Sequence, residues 1–117
     1  EPRIFDDWIV WDAHFNFDIH NLDGAGLDAN GAQAKFTQAR GYTIPLGCFL
    51  PKAVEGLLLC GRNISGTHKA HSNFRVMPIC VGMGEGVGAV AAAAVKQGIP
   101  YDKVDLARIQ SYLKQGD

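Results

Sequence analysis

The feature that most constrains the fold of this chain is a short apolar run that stops abruptly at a glycine. Leu57–Cys60 are all apolar, and small, polar and imidazole side chains follow Gly61 and Arg62. A run of this length closed by glycine predicts a buried strand of an α/β sheet, at whose carboxyl end ligands gather. Because glycine tolerates positive φ, we expect Gly61 to open a crevice there. An ordinary strand-to-loop turn has the same pattern.

Polar side chains between this predicted strand and the next helix form a candidate catalytic site. His68 and His71 lie three residues apart, and Arg75 follows them. A histidine that moves a proton, beside an arginine that binds an anion, can serve the oxidation or reduction of a polar organic substrate. A loop whose polar groups cap the next helix has the same composition. Both interpretations, and the choice between the two histidines, stay open at this point.

A second unusual segment alternates glycines with other residues before four alanines. Glycines stand at positions 82, 84, 86 and 88. A strand over Val76–Val81 with a glycine loop after it would fit a lax dinucleotide fingerprint, but Pro78 inside that strand argues against it. Proline suits the first turn of a helix, and Gly98 suits its end. We therefore predict one helix over residues 78–97, whose glycines let a flat cofactor or a neighbouring backbone approach closely.

The other predicted elements complete an α/β fragment. Residues 8–20 alternate with the period of a half-buried strand. Residues 42–49 are expected to be extended because Pro45 breaks helices. A final helix is predicted over residues 105–115, where apolar residues recur on one face. The predicted strands are thus 8–20, 42–49 and 57–60, joined by the long glycine- and alanine-rich helix and the short C-terminal helix.

Several motifs in a fixed order resemble a known flavoprotein family. Gly61-Arg62, Ser65 and His68 precede Arg75-Val76-Met77 and the small-residue helix. From about residue 42 to residue 116 the chain resembles the C-terminal end of FAD-dependent oxidoreductases of the glutathione-reductase-like superfamily, in the branch with AGR-x-x-S-x-x-H and R-V-M segments. A fainter likeness covers residues 12–24, which hold the family's "DIH" strand. Cys60 replaces the alanine that is usual before Gly-Arg.

The resemblance implies roles for individual residues around the cofactor FAD. Gly61 and Arg62 would lie along the ribityl–pyrophosphate arm, and the backbone N–H groups that open the long helix would face the flavin pyrimidine edge. The residues expected to bind the cofactor are Gly61, Arg62, Ser65, Val76, Met77 and Gly84. The residues expected on the substrate side are His68, which would move a proton, Arg75, which would bind an anionic or carbonyl oxygen, and His20.

The part of this family that holds the ADP half of FAD has no counterpart in the sequence. That part is a strand, a G-x-G-x-x-G turn and a helix, and residues 1–40 contain nothing similar. We therefore expect residues 1–41 to come from the substrate-side cap domain of a longer protein, and residues 42–117 from the C-terminal part of its FAD-binding domain. The parent would be an FAD-dependent oxidoreductase. The isolated chain is expected to be inactive and to bind FAD weakly or not at all.

The composition of the chain limits the classes of partner that it is expected to bind. The 117 residues allow one domain, and 11 basic against 12 acidic side chains leave no basic stripe for nucleic acid. The longest apolar run, residues 87–95, is expected to be too short and too rich in alanine to span a bilayer. The expected partners are therefore a small-molecule substrate, the missing N-terminal part of the same protein, and further copies of the chain. No signal peptide is visible, although a truncated chain would not show one, so the location is open and the cytoplasm is favoured for this soluble fragment.

Other sites and functions have weaker support in the sequence. His14, Asn16, Asp18 and His20 share one predicted strand face, but no further ligand has recognisable spacing, so no metal site is predicted. Three cysteines without C-x-x-C spacing favour buried thiols. A polysaccharide lyase or hydrolase is a weak alternative, because Ser65 lacks the preceding glycine of a G-x-S-x-G elbow. A non-catalytic interaction module with a glycine-rich helix is the remaining alternative.

Overall fold

A two-stranded antiparallel sheet lies against two helices in this chain. The computed structural model describes residues 4–14 and 41–115. Its elements, in chain order, are β1 (Trp8–Ala13), β2 (Tyr42–Pro45), a first 3-10 turn (Leu46–Phe49), α1 (His68–Phe74), α2 (Met77–Gln97), a second 3-10 turn (Tyr101–Lys103) and α3 (Leu106–Gln115). Helices α2 and α3 both pack against β1 and against each other. The predicted α/β fold class is confirmed.

The side chains of β1 do not alternate between buried and exposed, which differs from the prediction. The strand has irregular pairing, and helices pack against it. Its pairing advances from Val10 opposite Ile44 to Ala13 opposite Tyr42, so β1 uses one residue more than β2. An extra residue of this kind is a β-bulge, and Asp12 lies within it at a φ of 52°. Residues 8–10 are all buried. The predicted strand over 8–20 is thus observed as far as position 13, and residues 15–20 lie outside the described residues.

The segment predicted as extended over 42–49 is a strand only as far as Pro45. Beyond it the chain turns, and the first 3-10 turn buries Leu46 and Phe49. These two residues are three apart, which places them on the same side of a 3-10 turn. Burial of both apolar side chains therefore favours the turn over a continued strand.

Residues 57–60 do not form the predicted buried strand, and this prediction is wrong. Leu57 is 46% exposed, and the segment belongs to neither a strand nor a helix. One backbone hydrogen bond, from Leu59 N–H to the Phe49 carbonyl at 2.8 Å, attaches it to the first 3-10 turn. Leu58 and Leu59 still pack on the core cluster, so the apolar run reflects burial of side chains beside the sheet rather than a strand within it.

Helix α2 is the largest element, and its predicted limits are confirmed to within one residue. Pro78 lies in its first turn, and Gly98 ends it at a φ of 64°. Ile79, Met83, Gly86, Val90 and Ala94 form its buried face. Contrary to the expectation from the sequence, this helix is long and apolar enough to cross a membrane by length and composition alone, although core helices of soluble proteins pass the same test.

One of the four glycines of α2 permits close contact with the sheet. A Cβ atom on Gly86 would overlap the carbonyl oxygen of Ile9 and lie 3.1 Å from its carbonyl carbon. The predicted approach of a neighbouring backbone therefore occurs at Gly86. Around Gly88, nothing in the described part of the chain lies within 4 Å of such an atom.

Helix α3 is the predicted C-terminal helix, and it contacts the start of β1 through hydrogen bonds. Ile109 is its buried residue. The side-chain amide of Gln110 donates to the carbonyls of Asp6 and Trp8, at 2.7 and 3.0 Å. Both ends of the described chain are therefore held together beside the sheet.

Candidate functional site

The loop after residue 60 carries several of the predicted site residues. Gly61 has a φ of 94°, a positive value of the kind that glycine tolerates. The carbonyl of Gly61 accepts from Ile64 N–H at 3.3 Å, and Ser65 N–H donates to the Cys48 carbonyl at 3.0 Å. With Ile64 buried, the loop is anchored at its centre while Arg62 and Ser65 remain exposed.

Arg62 connects this loop to the junction between α1 and α2. Its Nε donates to the carbonyl of Arg75 at 3.1 Å. The Nε2 of His71 lies 2.8 Å from the carbonyl of Arg62, in hydrogen-bond contact. The ring of His71 also meets Phe74 edge to face at 5.4 Å. These contacts place His71, rather than His68, directly against the Gly61-Arg62 segment.

Helix α1, which the sequence analysis did not predict, separates the two proposed catalytic side chains. The Thr67 hydroxyl caps the helix by accepting from Ala70 N–H at 3.1 Å. His68 is the first helical residue and is exposed, and Arg75 is the C-cap. They are seven positions apart, which corresponds to about 10 Å along the helix axis. Thr67 thus caps α1, whereas the second interpretation had the polar loop cap the helix predicted over residues 78–97, whose N-cap makes no side-chain capping bond.

The start of α2 presents backbone donors. Val76 is the N-cap and its side chain makes no capping hydrogen bond. The first hydrogen bond of the helix runs from Cys80 N–H to the Val76 carbonyl at 3.0 Å. The N–H groups of Met77 and Ile79 precede it and so have no hydrogen-bond partner within α2. With the positive end of the helix dipole, this terminus suits a group rich in hydrogen-bond acceptors or carrying negative charge.

The remaining predicted residues are less closely connected to this cluster. Gly84 is exposed one helical turn after Cys80, with the Cys60 sulfur 3.9 Å from the position of an added Cβ. Ser65 shares the loop of Arg62. His20 lies outside the described residues. The structure therefore brings Arg62, Arg75 and the first turn of α2 together, and leaves His68 at the far end of α1.

A buried polar contact that sequence analysis missed positions α1 against the sheet. The hydroxyl of Tyr42, in β2, donates to the Oδ1 of Asn73. Asn73 is 1% exposed, and burial raises the pKa of the Tyr42 hydroxyl well above its ordinary value. A lone asparagine far along the sequence from its partner gives no pattern that could have revealed this pair. For His71 a signal existed, because it lies three residues from His68.

Metal ligands do not cluster in the part of the chain that the structure describes. No group of three or more histidine, cysteine, aspartate or glutamate side chains there could hold an ion. The candidate site is therefore described by backbone donors, one glycine turn and the arginine and histidine contacts.

Comparison with known proteins gives one match. The family model described as "FAD dependent oxidoreductase" matches residues 1–113. The searches of curated proteins and of solved structures found no match. The family match covers both strands and nearly all of the C-terminal helix, and so includes every residue of the candidate site.

Proposed function

This chain belongs to the FAD-dependent oxidoreductase family, and we propose that it supplies the flavin-facing C-terminal part of such an enzyme, in the glutathione-reductase-like branch. Residues 1–41 would belong to the substrate-side cap domain and residues 42–117 to the FAD-binding domain. The ADP half of FAD would be held by a dinucleotide-binding segment outside this chain, because residues 1–40 contain no G-x-G-x-x-G turn. Residues 1–117 alone would be inactive and would bind FAD weakly or not at all.

The observation that carries the proposal is the start of α2. Met77 and Ile79 offer backbone N–H groups at the positive end of a 21-residue helix, and Met77 is 74% exposed. The pyrimidine edge of a flavin carries two carbonyl oxygens and N1 as hydrogen-bond acceptors beside its single N3–H donor, so backbone N–H donors at this terminus would pair with those acceptors. A helix N-terminus also stabilises negative charge that develops beside it. The exposed Gly84 leaves space on the same helix.

Arg62 and the Gly61 turn would bind the ribityl–pyrophosphate arm. The positive φ of Gly61 lets the backbone turn without a side chain. Arg62 is exposed, and its Nε is directed toward the start of α2 by the Arg75 carbonyl. Its terminal guanidinium nitrogens would pair with phosphate oxygens. Ser65, on the same exposed loop, would add a hydroxyl donor.

His68, Arg75 and His20 would serve the substrate side of the site. When FAD is bound, its isoalloxazine ring supplies hydride transfer, and the protein supplies orientation and electrostatics. His68 would move a proton, and Arg75 would hold an anionic or carbonyl oxygen of a small-molecule substrate. The contact between His71 and the Arg62 carbonyl makes His71 the second candidate for proton transfer.

Cofactor content provides the test. The full-length protein that carries these residues should contain about one FAD per chain, whereas residues 1–117 alone should lose it on gel filtration. Arg62→Ala should reduce the FAD retained by the full-length protein. Arg108→Ala is the matched control, because Arg108 is an equally exposed arginine on α3, away from the loop. The proposal is wrong if the full-length protein binds no flavin, or if both variants lose FAD alike.

A further inference from the structure

Two of the three cysteines lie along the same face of helix α2. Cys80 lies in the first turn of α2 and Gly84 follows four residues later on the same face. The Cys60 sulfur is 3.9 Å from the position that a Cβ on Gly84 would occupy. Positions four apart on a helix have Cβ atoms about 5–6 Å apart. The Cys60 sulfur therefore lies no more than about 10 Å from the Cβ of Cys80.

The two thiols differ in their surroundings, and the exposed one can be reached by a small disulfide in solution. Cys60 is exposed and Cys80 is half-buried, and both are free thiols. The Cys80 sulfur lies 3.8 Å from the Phe74 carbonyl, in hydrogen-bond contact. Burial first, and then the nearby Cys80 thiol, raise the pKa of Cys60. This coupling agrees with the proximity that the Gly84 geometry shows.

We propose that Cys60 and Cys80 form a reversible disulfide that fastens the Gly61 loop to α2. A disulfide needs Cβ atoms about 3.5–4.5 Å apart, so one side must move toward the other for the bond to form. The Cys60 side can do so, because residues 57–60 belong to neither a strand nor a helix. The glycine at position 84 leaves room for the sulfur to move along the helix toward Cys80.

The oxidant in this proposal is a low-molecular-weight disulfide. The Cys60 thiolate attacks one of its sulfurs, which forms a mixed disulfide and releases one small thiolate. The Cys80 thiolate then attacks the Cys60 sulfur of that mixed disulfide, which forms the Cys60–Cys80 bond and releases the second small thiolate. Two protein thiols are oxidised, one small disulfide is reduced to two thiols, and the protons of the protein thiols pass to them.

Cys48 serves as the internal control for this pair. It lies in the first 3-10 turn and is half-buried, and burial, followed by the Asp7 charge, raises its pKa. The sulfur within 4 Å of the Cβ position on Gly84 is that of Cys60 and not that of Cys48. Oxidation should therefore spare Cys48 while it consumes the other two thiols.

The test counts thiols after treatment with oxidised glutathione. The protein is incubated at mildly alkaline pH, where more thiolate is present, then acid-quenched, denatured and labelled with a maleimide for intact mass measurement. The maleimide count should fall from three to one in unsubstituted residues 1–117, because two of their three thiols are blocked. In Cys48→Ala it should fall from two to none, without added glutathione mass. Dithiothreitol should restore the starting counts.

Single variants and peptide mapping complete the design. Cys60→Ala and Cys80→Ala should each keep a glutathione adduct on the remaining partner, since no second thiol can displace it. Tryptic mapping of the oxidised parent should find a Cys60–Cys80 linked peptide, which needs no variant to fold. The proposal is overturned if Cys48→Ala keeps two reactive thiols or carries two glutathione adducts. A disulfide that links two chains on a non-reducing gel would also overturn it.

Discussion

Gly86 of α2 and Ile9 of β1 are in backbone-to-backbone contact. An added Cβ on Gly86 would overlap the Ile9 carbonyl oxygen, and a main-chain atom within a paired strand cannot move aside as a side chain can. Overpacking of this kind costs about 1–3 kcal/mol. Within a helix, alanine is more favourable than glycine by only ~1 kcal/mol. Gly86→Ala should therefore lower the free energy of unfolding measured by urea denaturation.

Gly88→Ala is the matched control for that substitution. It makes the same chemical change two residues later in the same helix, where nothing in the described residues lies within 4 Å of the new Cβ. It should leave the free energy of unfolding unchanged or raise it by up to about 1 kcal/mol. Equal effects of the two substitutions would show that α2 does not pack on β1 through Gly86.

The hydrogen bond from Tyr42 to Asn73 should contribute measurably to stability. Tyr42→Phe removes a donor to a buried amide oxygen, which should cost about 1 kcal/mol or more. Tyr112→Phe removes a hydroxyl from a side chain that is 65% exposed, and should change stability by less than ~0.5 kcal/mol. Urea denaturation of both variants would measure the difference, and equal values would contradict the assignment.

The same hydroxyl should make stability fall at alkaline pH. Burial raises the pKa of Tyr42, so the folded chain favours the neutral phenol. This contribution is complete below the pKa of an unfolded tyrosine, about 10, and is lost as the pH rises toward the higher folded-state value. Tyr42→Phe should therefore show a shallower alkaline loss than the parent. Burial also raises the pKa of Cys48, but that thiol is present in both proteins.

Elements with local signals could be predicted from the sequence, and elements set by long-range contacts could not. Pro78 and Gly98 mark the limits of α2 by their own backbone restrictions, and both predicted limits were right to within one residue. The turn at Gly61 needed only the residue itself. Helix α1 is short and lacks an apolar period, so Thr67, its capping residue, was its one local signal.

The wrong prediction at residues 57–60 has a different cause. An apolar run indicates that some of its side chains are buried, and both a strand and a loop packed on the core are consistent with such a run. The pairing partner of a strand is distant in sequence, and here β2 pairs with β1. The same distinction applies to the candidate site. The glycine turn and the start of α2 could be predicted from the sequence, whereas the contact of His71 with the Arg62 carbonyl depends on how α1 packs against the loop.

Lys114 should report on the docking of α3 against β1. Its Nζ lies 4.0 Å from the ring centroid of Trp11 and 5.5 Å from that of Trp8. Lys114→Gln should cost about 0.5–1 kcal/mol, as expected for an exposed cation–π contact. Because these are the two tryptophans of the chain, intrinsic fluorescence should change as well. Lys103→Gln, in an exposed lysine of the second 3-10 turn, should change neither signal.

Residues 1–117 alone should self-associate through the exposed apolar face of α2. Val81 and Val95 are 73% and 77% exposed on this face. Patches of this kind recruit other chains, and a two-fold dimer is the expected product. Val81→Lys should lower the molar mass measured by light scattering, whereas Val54→Lys, at an exposed valine outside α2, should not. A strictly monomeric parent chain at high concentration would contradict the expectation.

The proposed position of the flavin against the start of α2 is tested most directly by the reduction potential of the bound FAD. Met77 and Val95 are similarly exposed on one face of α2, about 27 Å apart along the axis. A charge near the flavin changes the energy of adding electrons. Met77→Glu should lower the potential of the full-length holoprotein and Met77→Lys should raise it. Val95→Glu and Val95→Lys should leave it unchanged, and equal shifts from both positions, or none from Met77, would contradict the claim.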